Sequence, residues 1–354
     1  MVKSKIADIT SNSRTYFIAD IAANHDGSLE KAKRLIESAA KAGADAAKFQ
    51  HFRAETIVSD KGFKELGRKL THQATWDKSV FEVYKSASLP FSWTAQLAQT
   101  CLDEGIEFFT APYDLDLIRD VEPFVPVFKI GSGDITWLEA IELMASYKKP
   151  ILLATGAANM EDVRRAVQVV LESGSKLVLM QCNTNYTADP NNVKHLNLNV
   201  LTSYKHEFSE IILGLSDHTS SDISVLGAIA LGARVVEKHY TDDNDQIGPD
   251  HKFSLNPEAW RKMVSNARDL EDALGDGNKK IEINEQEASI VQRRAIRYKN
   301  NLDAGHILTR ADIIPLRPAP EDSISPIEIA NLIGLELNTK VESDSQARWE
   351  HFKS

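Results

Sequence analysis

Residues 214–240 read GLSDHTSSDISVLGAIALGARVVEKHY. Two histidines, His218 and His239, lie 21 residues apart, each just past a short apolar run. The Gly/Ala-rich middle, SSDISVLGAIALGA, reads as a helix. Strand, helix and strand then form one right-handed βαβ unit. Its strands are neighbours, roughly 4.8 Å apart, and both histidines fall at the same C-terminal end. Two imidazoles placed there can share one cation; the plainer alternative is that each is a satisfied polar residue at a strand end. Two histidines with open positions suit a divalent ion such as Mn²⁺ better than a closed structural zinc.

The same unit recurs along the chain. Short β-type runs occupy 16–22, 46–50, 107–112, 127–132, 150–155, 176–182, 211–216 and 234–240. Helical patterns follow them, and SLEKAKRLIESAAKAGA, MEDVRRAVQVVLESG and PEAWRKMVSNARDLEDALG each stop at or near a glycine. Apolar strands without strict alternation indicate a parallel sheet covered on both faces. Eight such units predict an α/β TIM (β/α)8 barrel. An open doubly wound sheet is the runner-up, but no GxGxxG follows the first strand. Between the second and third strands, 51–106 is longer than one crossover and predicts two extra helices, TWDKSVFEVYKSA and SWTAQLAQTCLDEG.

The barrel domain is expected over 1–276, a polar linker over 277–290, and a compact, turn-rich second domain over 291–354. The 354 residues are 42% hydrophobic and 26% charged, an ordinary globular composition. The net charge of −10, with no basic run, disfavours nucleic-acid partners. Two cysteines make no disulfide framework and fit a reducing cytoplasm. No signal core or membrane-length apolar stretch stands out.

In a parallel barrel the C-terminal strand ends carry the chemistry. Here those ends hold Asp20, Asn24 and His25, then Lys48 and Gln50, Thr110, and Lys129, Ser132 and Asp134. Thr155 and Gly156, then Asn183, Asn185 and Tyr186, Ser216, Asp217 and His218, and His239 and Asp242 complete the ring. A lysine at the inner end of a buried strand requires a counter-charge, and two of them beside the GSG turn suit an anionic substrate. A class I aldolase with a Schiff-base lysine remains a competitor. Asp250, in the loop after the eighth strand, is a further acidic candidate. Cys182 is read as a buried structural thiol, and His25 as lining the site or capping the next helix. His72, His195, His206, His306 and His351 are assigned to the surface.

Taken together, IADIAANHDGS, GADAAKFQ, TAPYD, KIGSGD, GLSDHT, EKHYTD, GPDHKFSLNP and LRP at 316–318 resemble the bacterial sialic acid synthases along essentially the whole chain. Those enzymes fuse a barrel to a C-terminal antifreeze-like (SAF) domain of β-clip type. They are transferases that condense phosphoenolpyruvate (PEP) with an N-acetylmannosamine-type sugar, release phosphate and form a nine-carbon 2-keto acid. The resemblance implies that His218 and His239 ligate Mn²⁺, or Mg²⁺ or Co²⁺ in its place. It implies PEP contacts from Lys48, Lys129, Ser132 and Ser216, assisted by Asn183, Thr184 and Asn185, with Thr110 among the substrate contacts. Asp134 would orient the attacking water, and Asp20, Gln50, Tyr186 and Asp250 would meet the sugar. Arg317 would reach the N-acyl group from a partner subunit, which implies a homodimer. The family commonly has Glu where Asp20 and Asp134 stand and Ser where Ala154 stands. These departures leave N-acetylneuraminate, legionaminic and pseudaminic acid synthesis all open. An ice- or glycan-binding role for the small domain alone is countered by its charged 299–312 stretch.

Overall fold

The computed structural model describes residues 4–67, 73–74 and 76–353; His72 and Thr75 lie outside them. The chain divides into two compact units, Met1–Gly275 and Asp276–Ser354.

The first unit is a closed barrel of eight parallel strands in chain order. They are β1 (Tyr16–Asp20), β2 (Ala46–His51), β3 (Glu107–Pro112), β4 (Phe128–Ile130), β5 (Ile151–Ala154), β6 (Leu177–Cys182), β7 (Ile212–Asp217) and β8 (Val235–His239). Each lies within two residues of its expected run. Nearly every strand residue is buried, because helices cover the outside while side chains fill the inside. The expected helices form at Leu29–Lys41, Met160–Ser173 and Pro257–Leu274. Side chains of Ser28, Asn159 and Asn256 cap their N-termini. Gly174 ends the second of these in a left-handed conformation, φ 76°.

The opening stretch folds as β7, the helix Ile223–Ala230, and β8. Gly214 permits the strands' close approach: a Cβ there would stand 2.9 Å from Met180 Cγ and 3.0 Å from the Val235 carbonyl. The long segment after β2 holds helices Ala54–Ile57, Asp60–Glu65, Val80–Ala87 and Thr94–Asp103. The expected pair is present, with two shorter helices before it.

The second unit pairs antiparallel β9 (Ala295–Tyr298) and β10 (Ile313–Leu316) around its own core, which includes Ile296, Tyr298, Leu308, Ile313 and Leu337. A helix, Gln286–Val291, falls inside the stretch read as linker. Of the surface histidines, His195 and His206 are exposed, while His306 and His351 are half-buried on Asp312 and Tyr298.

Candidate active site

Strand alternation and register decide which side chains meet. Asp20 stands level with Lys48 on one side and His239 on the other, and Ser216 stands level with Glu237. Alternate residues face opposite ways. Ser216, His218, Glu237 and His239 therefore point into the barrel mouth, while Asp217 and Lys238 point out toward the helices.

The inward set lines a polar chamber of about 70 Å³ with Asp20, Lys48, Gln50, Lys129, Ser132 and Tyr186. Lys48 Nζ is 2.7 Å from Asp20 Oδ2 and 3.7 Å from Glu237 Oε1, and Lys129 Nζ is 3.5 Å from that same oxygen. Burial pulls the Lys48 ammonium down, but the carboxylates of Asp20 and Glu237 outweigh it and its pKa is raised. The lysines thus have the counter-charge they require. Glu237, which sequence reasoning missed, supplies much of it, and its second oxygen is buried without a hydrogen-bond partner. Ser216 Oγ donates to Glu237 at 3.3 Å. Ser132 Oγ accepts from the Gly156 N–H at 2.9 Å. Only glycine fits at 156, since a Cβ would lie 1.9 Å from Thr184 Oγ1.

The two histidines do meet. Their ring centroids are 5.3 Å apart, with Tyr186 4.3 Å from His218. His218 Nδ1 donates to the Asn183 carbonyl at 3.1 Å; burial pulls its pKa down, but Cys182 and that carbonyl outweigh it and its pKa is raised. His239 Nε2 faces Asp20 Oδ2 at 3.4 Å, while its buried Nδ1 has no partner. Burial, then the neighbouring His218 and Lys48, hold His239 well below the ordinary histidine range, so its ring is neutral. An orphaned lone pair on a neutral imidazole, oriented by a carboxylate, is the chemistry of a metal ligand. His239 fits a divalent cation on that ground, with the His218 ring facing it. Among the described residues no group of three or more His, Cys, Asp or Glu side chains is suited to a metal. The remaining coordination positions would fall to water or substrate oxygens.

A second chamber of about 140 Å³ shares Gln50, Tyr113, Tyr186 and His239 with the first. One wall comes from the long segment after β2, and Pro249 and Asp250 line it from the loop after β8. Burial raises the Asp250 carboxyl to about 6, although its Oδ2 accepts the Ala23 N–H at 3.2 Å. Tyr113, part of the TAPYD motif but given no role from sequence, lines both chambers.

Several expected residues are placed elsewhere. Thr110 is turned outward, where its hydroxyl is hydrogen-bonded to His51 Nδ1 at 2.8 Å; alternation along β3 puts it on the helix side. Asn183, Thr184 and Asn185 do not line either chamber. Asn183 acts through its backbone on His218, and Asn185 folds its carbonyl back onto Thr187. Asp134, by contrast, stays beside the site: it is half-buried, its charge acts on the chamber residues Tyr113 and Tyr84, and its carboxyl is raised to about 6 by burial against the pull of Lys129. His25 closes its own turn by accepting the Gly27 N–H. Cys182 is buried, 3.9 Å from His218 Nδ1. Arg317 follows β10 in the second unit and is exposed.

This geometry coincides with one family. The NeuB family model matches residues 35–279, and the SAF domain model matches residues 293–353. The chain belongs to the NeuB family. The NeuB-family chain is 33% identical to the N,N'-diacetyllegionaminic acid synthase of Legionella pneumophila, over 97% of this chain and 96% of that one. It is 30% identical to the human N-acetylneuraminate-9-phosphate synthase, over 93% and 90% of the two chains. Among solved structures it is similar to the N-acetylneuraminic acid synthetase of Leptospira borgpetersenii in complex with citrate. That likeness has a TM-score of 0.68 at 28% identity, over 78% of this chain and 90% of that one.

Proposed function

We propose that this protein is a PEP-condensing synthase that joins PEP to the aldehyde of an N-acyl hexosamine-type sugar and releases phosphate. The product is a nine-carbon 2-keto sugar acid. The observation that carries the reading is two charged, buried lysines with two serine hydroxyls in one chamber, directly beside two facing imidazoles. The named synthases among its relatives support it.

Lys48 and Lys129 hold the phosphate and carboxylate of PEP, and Ser132 and Ser216 add hydroxyl donors. Asp20 and Glu237 keep Lys48 protonated, so it stays a fixed cation rather than a nucleophile. A Schiff-base aldolase requires the opposite, a lysine with a lowered pKa. Tyr186, Gln50 and Asp250 hold the open-chain sugar in the second chamber, with its aldehyde toward PEP C3. A divalent cation on His218 and His239, proposed as Mn²⁺, would supply Lewis-acid polarisation of that aldehyde. The C2=C3 electron pair of PEP forms the new carbon–carbon bond from C3, and the aldehyde oxygen takes a proton from solvent. Water adds to the electron-poor C2 and gives one proton to Asp134, which returns it to solvent. The C2 hydroxyl then passes its remaining proton to the departing phosphate as the C2–O bond breaks, leaving the ketone and inorganic phosphate. We further propose a homodimer in which Arg317 meets the N-acyl group at the other subunit's site. The free, buried Cys101 and Cys182 support a cytoplasmic setting.

The test is phosphate release from PEP, with Mn²⁺ present, across N-acyl mannosamines and 6-deoxy-2,4-diacetamido hexoses. Release with at least one acceptor is expected, and none with any would sink the reading. EDTA should abolish release and Mn²⁺ restore it. His218→Ala and His239→Ala should each lose turnover while retaining the wild-type circular dichroism spectrum.

A further inference from the structure

Two motifs, IADIAANHDGS at the end of β1 and GPDHKFSLNP after β8, lend Asp20 and Asp250 to the chambers. Other side chains of both motifs meet one another. His251 is fully buried, and both its ring nitrogens are engaged. Nε2 lies 3.2 Å from Asp26 Oδ1 and 3.3 Å from Oδ2, and Nδ1 is hydrogen-bonded to Thr241 Oγ1 at 2.7 Å. Asp26 Oδ2 also accepts from Lys31 Nζ at 2.5 Å, and Lys31 donates in turn to Gln246. Asn24 Nδ2, in the same turn as Asp26, donates to the Tyr240 carbonyl and to Ser254 Oγ, both at 2.9 Å. Gly248 lets the loop pass directly against the imidazole: a Cβ there would stand 2.6 Å from His251 Cδ2. Asp26 itself holds a left-handed φ of 48°. A glycine would adopt that conformation more readily but would bring no carboxylate.

We infer that Asp26 and His251 are positioning residues: their contact clasps the loop after β8 to the turn after β1 and so sets the acceptor-binding groups that the loop carries. The inference rests on the synthase reading. Asp250 lines the second chamber, and its Oδ2 accepts the Ala23 N–H at 3.2 Å, so its carboxyl is held in register with the same turn. Phe253 packs its ring 4.8 Å from that of His239 and 5.4 Å from that of Tyr186. These two residues stand one and two positions from His251, so a shift of its ring displaces both. The imidazole is enclosed, and a lost partner would leave a buried nitrogen unpaired unless the loop moved. Lys48, Lys129 and Ser216 are carried by strands, and Ser132 by the turn after β4; their places do not depend on this loop. The two substrates therefore depend on the clasp unequally. A displacement of about 1 Å in a group that orients a substrate can cost about 100-fold in rate.

The experiment measures kcat and KM for phosphate release at saturating Mn²⁺, varying PEP and, in turn, N-acetylmannosamine and a 6-deoxy-2,4-diacetamido hexose. Asp26→Ala should lower kcat/KM for the acceptor by roughly 10- to 100-fold and leave KM for PEP unchanged. Asp26→Asn keeps an oxygen acceptor for His251 Nε2 and should recover most of that loss. Thr241→Val removes the other bond to the imidazole at nearly equal size and should give the same split as Asp26→Ala. An unchanged acceptor kcat/KM in both Asp26→Ala and Thr241→Val overturns the inference. So does a rise in PEP KM that matches the acceptor loss, which marks a general loss of structure, and so does an Asp26→Asn protein no better than Asp26→Ala. Wild-type turnover without the split overturns the clasp and leaves the synthase reading standing. Wild-type silence with both acceptors overturns the two together.

Discussion

Lys48 and Lys129 share one carboxylate oxygen of Glu237, at 3.7 and 3.5 Å. Removing a partner from a buried ion pair typically costs about 3–5 kcal/mol, because the remaining charge is left desolvated. Glu237→Gln should therefore lower the stability of the PEP-free protein by roughly 3 kcal/mol. The same change makes the chamber one charge more positive, so saturating PEP should raise Tm by more than it does in the wild type. Thermal melts with and without PEP decide this, and an unchanged PEP-free Tm would count against the shared-carboxylate role. Asp134 carries a pH prediction. A base must be ionised to act, and its carboxyl is raised to about 6. Thus kcat should fall as pH drops through about 6 and level off above it, while Asp134→Asn should lose most of kcat and flatten that limb. A wild-type limb surviving in Asp134→Asn would assign it to another group. The residue scale is also where sequence reading was least complete. Lys48, Lys129 and the two histidines were legible because such side chains are rare at buried strand ends. Glu237 was not, since Glu-Lys-His-Tyr reads equally well as solvated charge until the strand's phase is fixed. Thr110 was misplaced for the same reason.

Behind the strands, Lys238 Nζ lies 2.5 Å from Asp217 Oδ2 and donates to the Thr219 and Ser221 carbonyls at 2.6 and 3.1 Å. Asp217 also accepts the Thr219 N–H at 3.0 Å and a hydroxyl hydrogen from Ser224. Burial pushes the Asp217 carboxyl up, but Lys238 and these donors prevail and hold it below its usual range. This pair staples β7 to β8 and fixes the turn directly after His218. Lys238→Met should destabilise the protein by about 3–5 kcal/mol and weaken Mn²⁺ affinity through displacement of His218. Chemical denaturation and metal titration measure the two, and wild-type values in both would sink the role. The eight strands and their helices were readable from apolar runs and caps, whereas the pairing of Asp217 with Lys238 depends on register, which no local pattern encodes. Likewise the segment after β2 announced itself by length, but its two short helices, Ala54–Ile57 and Asp60–Glu65, fall below the span over which periodicity speaks.

At the scale of the molecule, each unit has its own core, and residues 276–288 at the start of the second unit are exposed throughout. Brief trypsin treatment should cut first at Lys279 or Lys280 and leave two protease-resistant fragments, seen by mass spectrometry. Early cuts inside the barrel would contradict this division. If Arg317 serves the site of another subunit, the cut should raise acceptor KM more than PEP KM. Barrel and appendage were legible from the strand–helix rhythm and from the turn-rich stretch that follows where polar residues interrupt it. The chamber walls were not, since they join residues from 23 to 250.

The order Glu237-Lys238-His239 binds two jobs into one strand. Side chains there can be exchanged one at a time, but the strand's length cannot drift. Deleting a single residue before Glu237 would bring Lys238 into the chamber as a third cation and send a carboxylate and an imidazole out among the helices. The scaffold pair and the reaction chamber would fail in one event. In β8, insertions and deletions should thus be far less tolerated than substitutions, and change in this protein is confined to swapping letters in a word of fixed length.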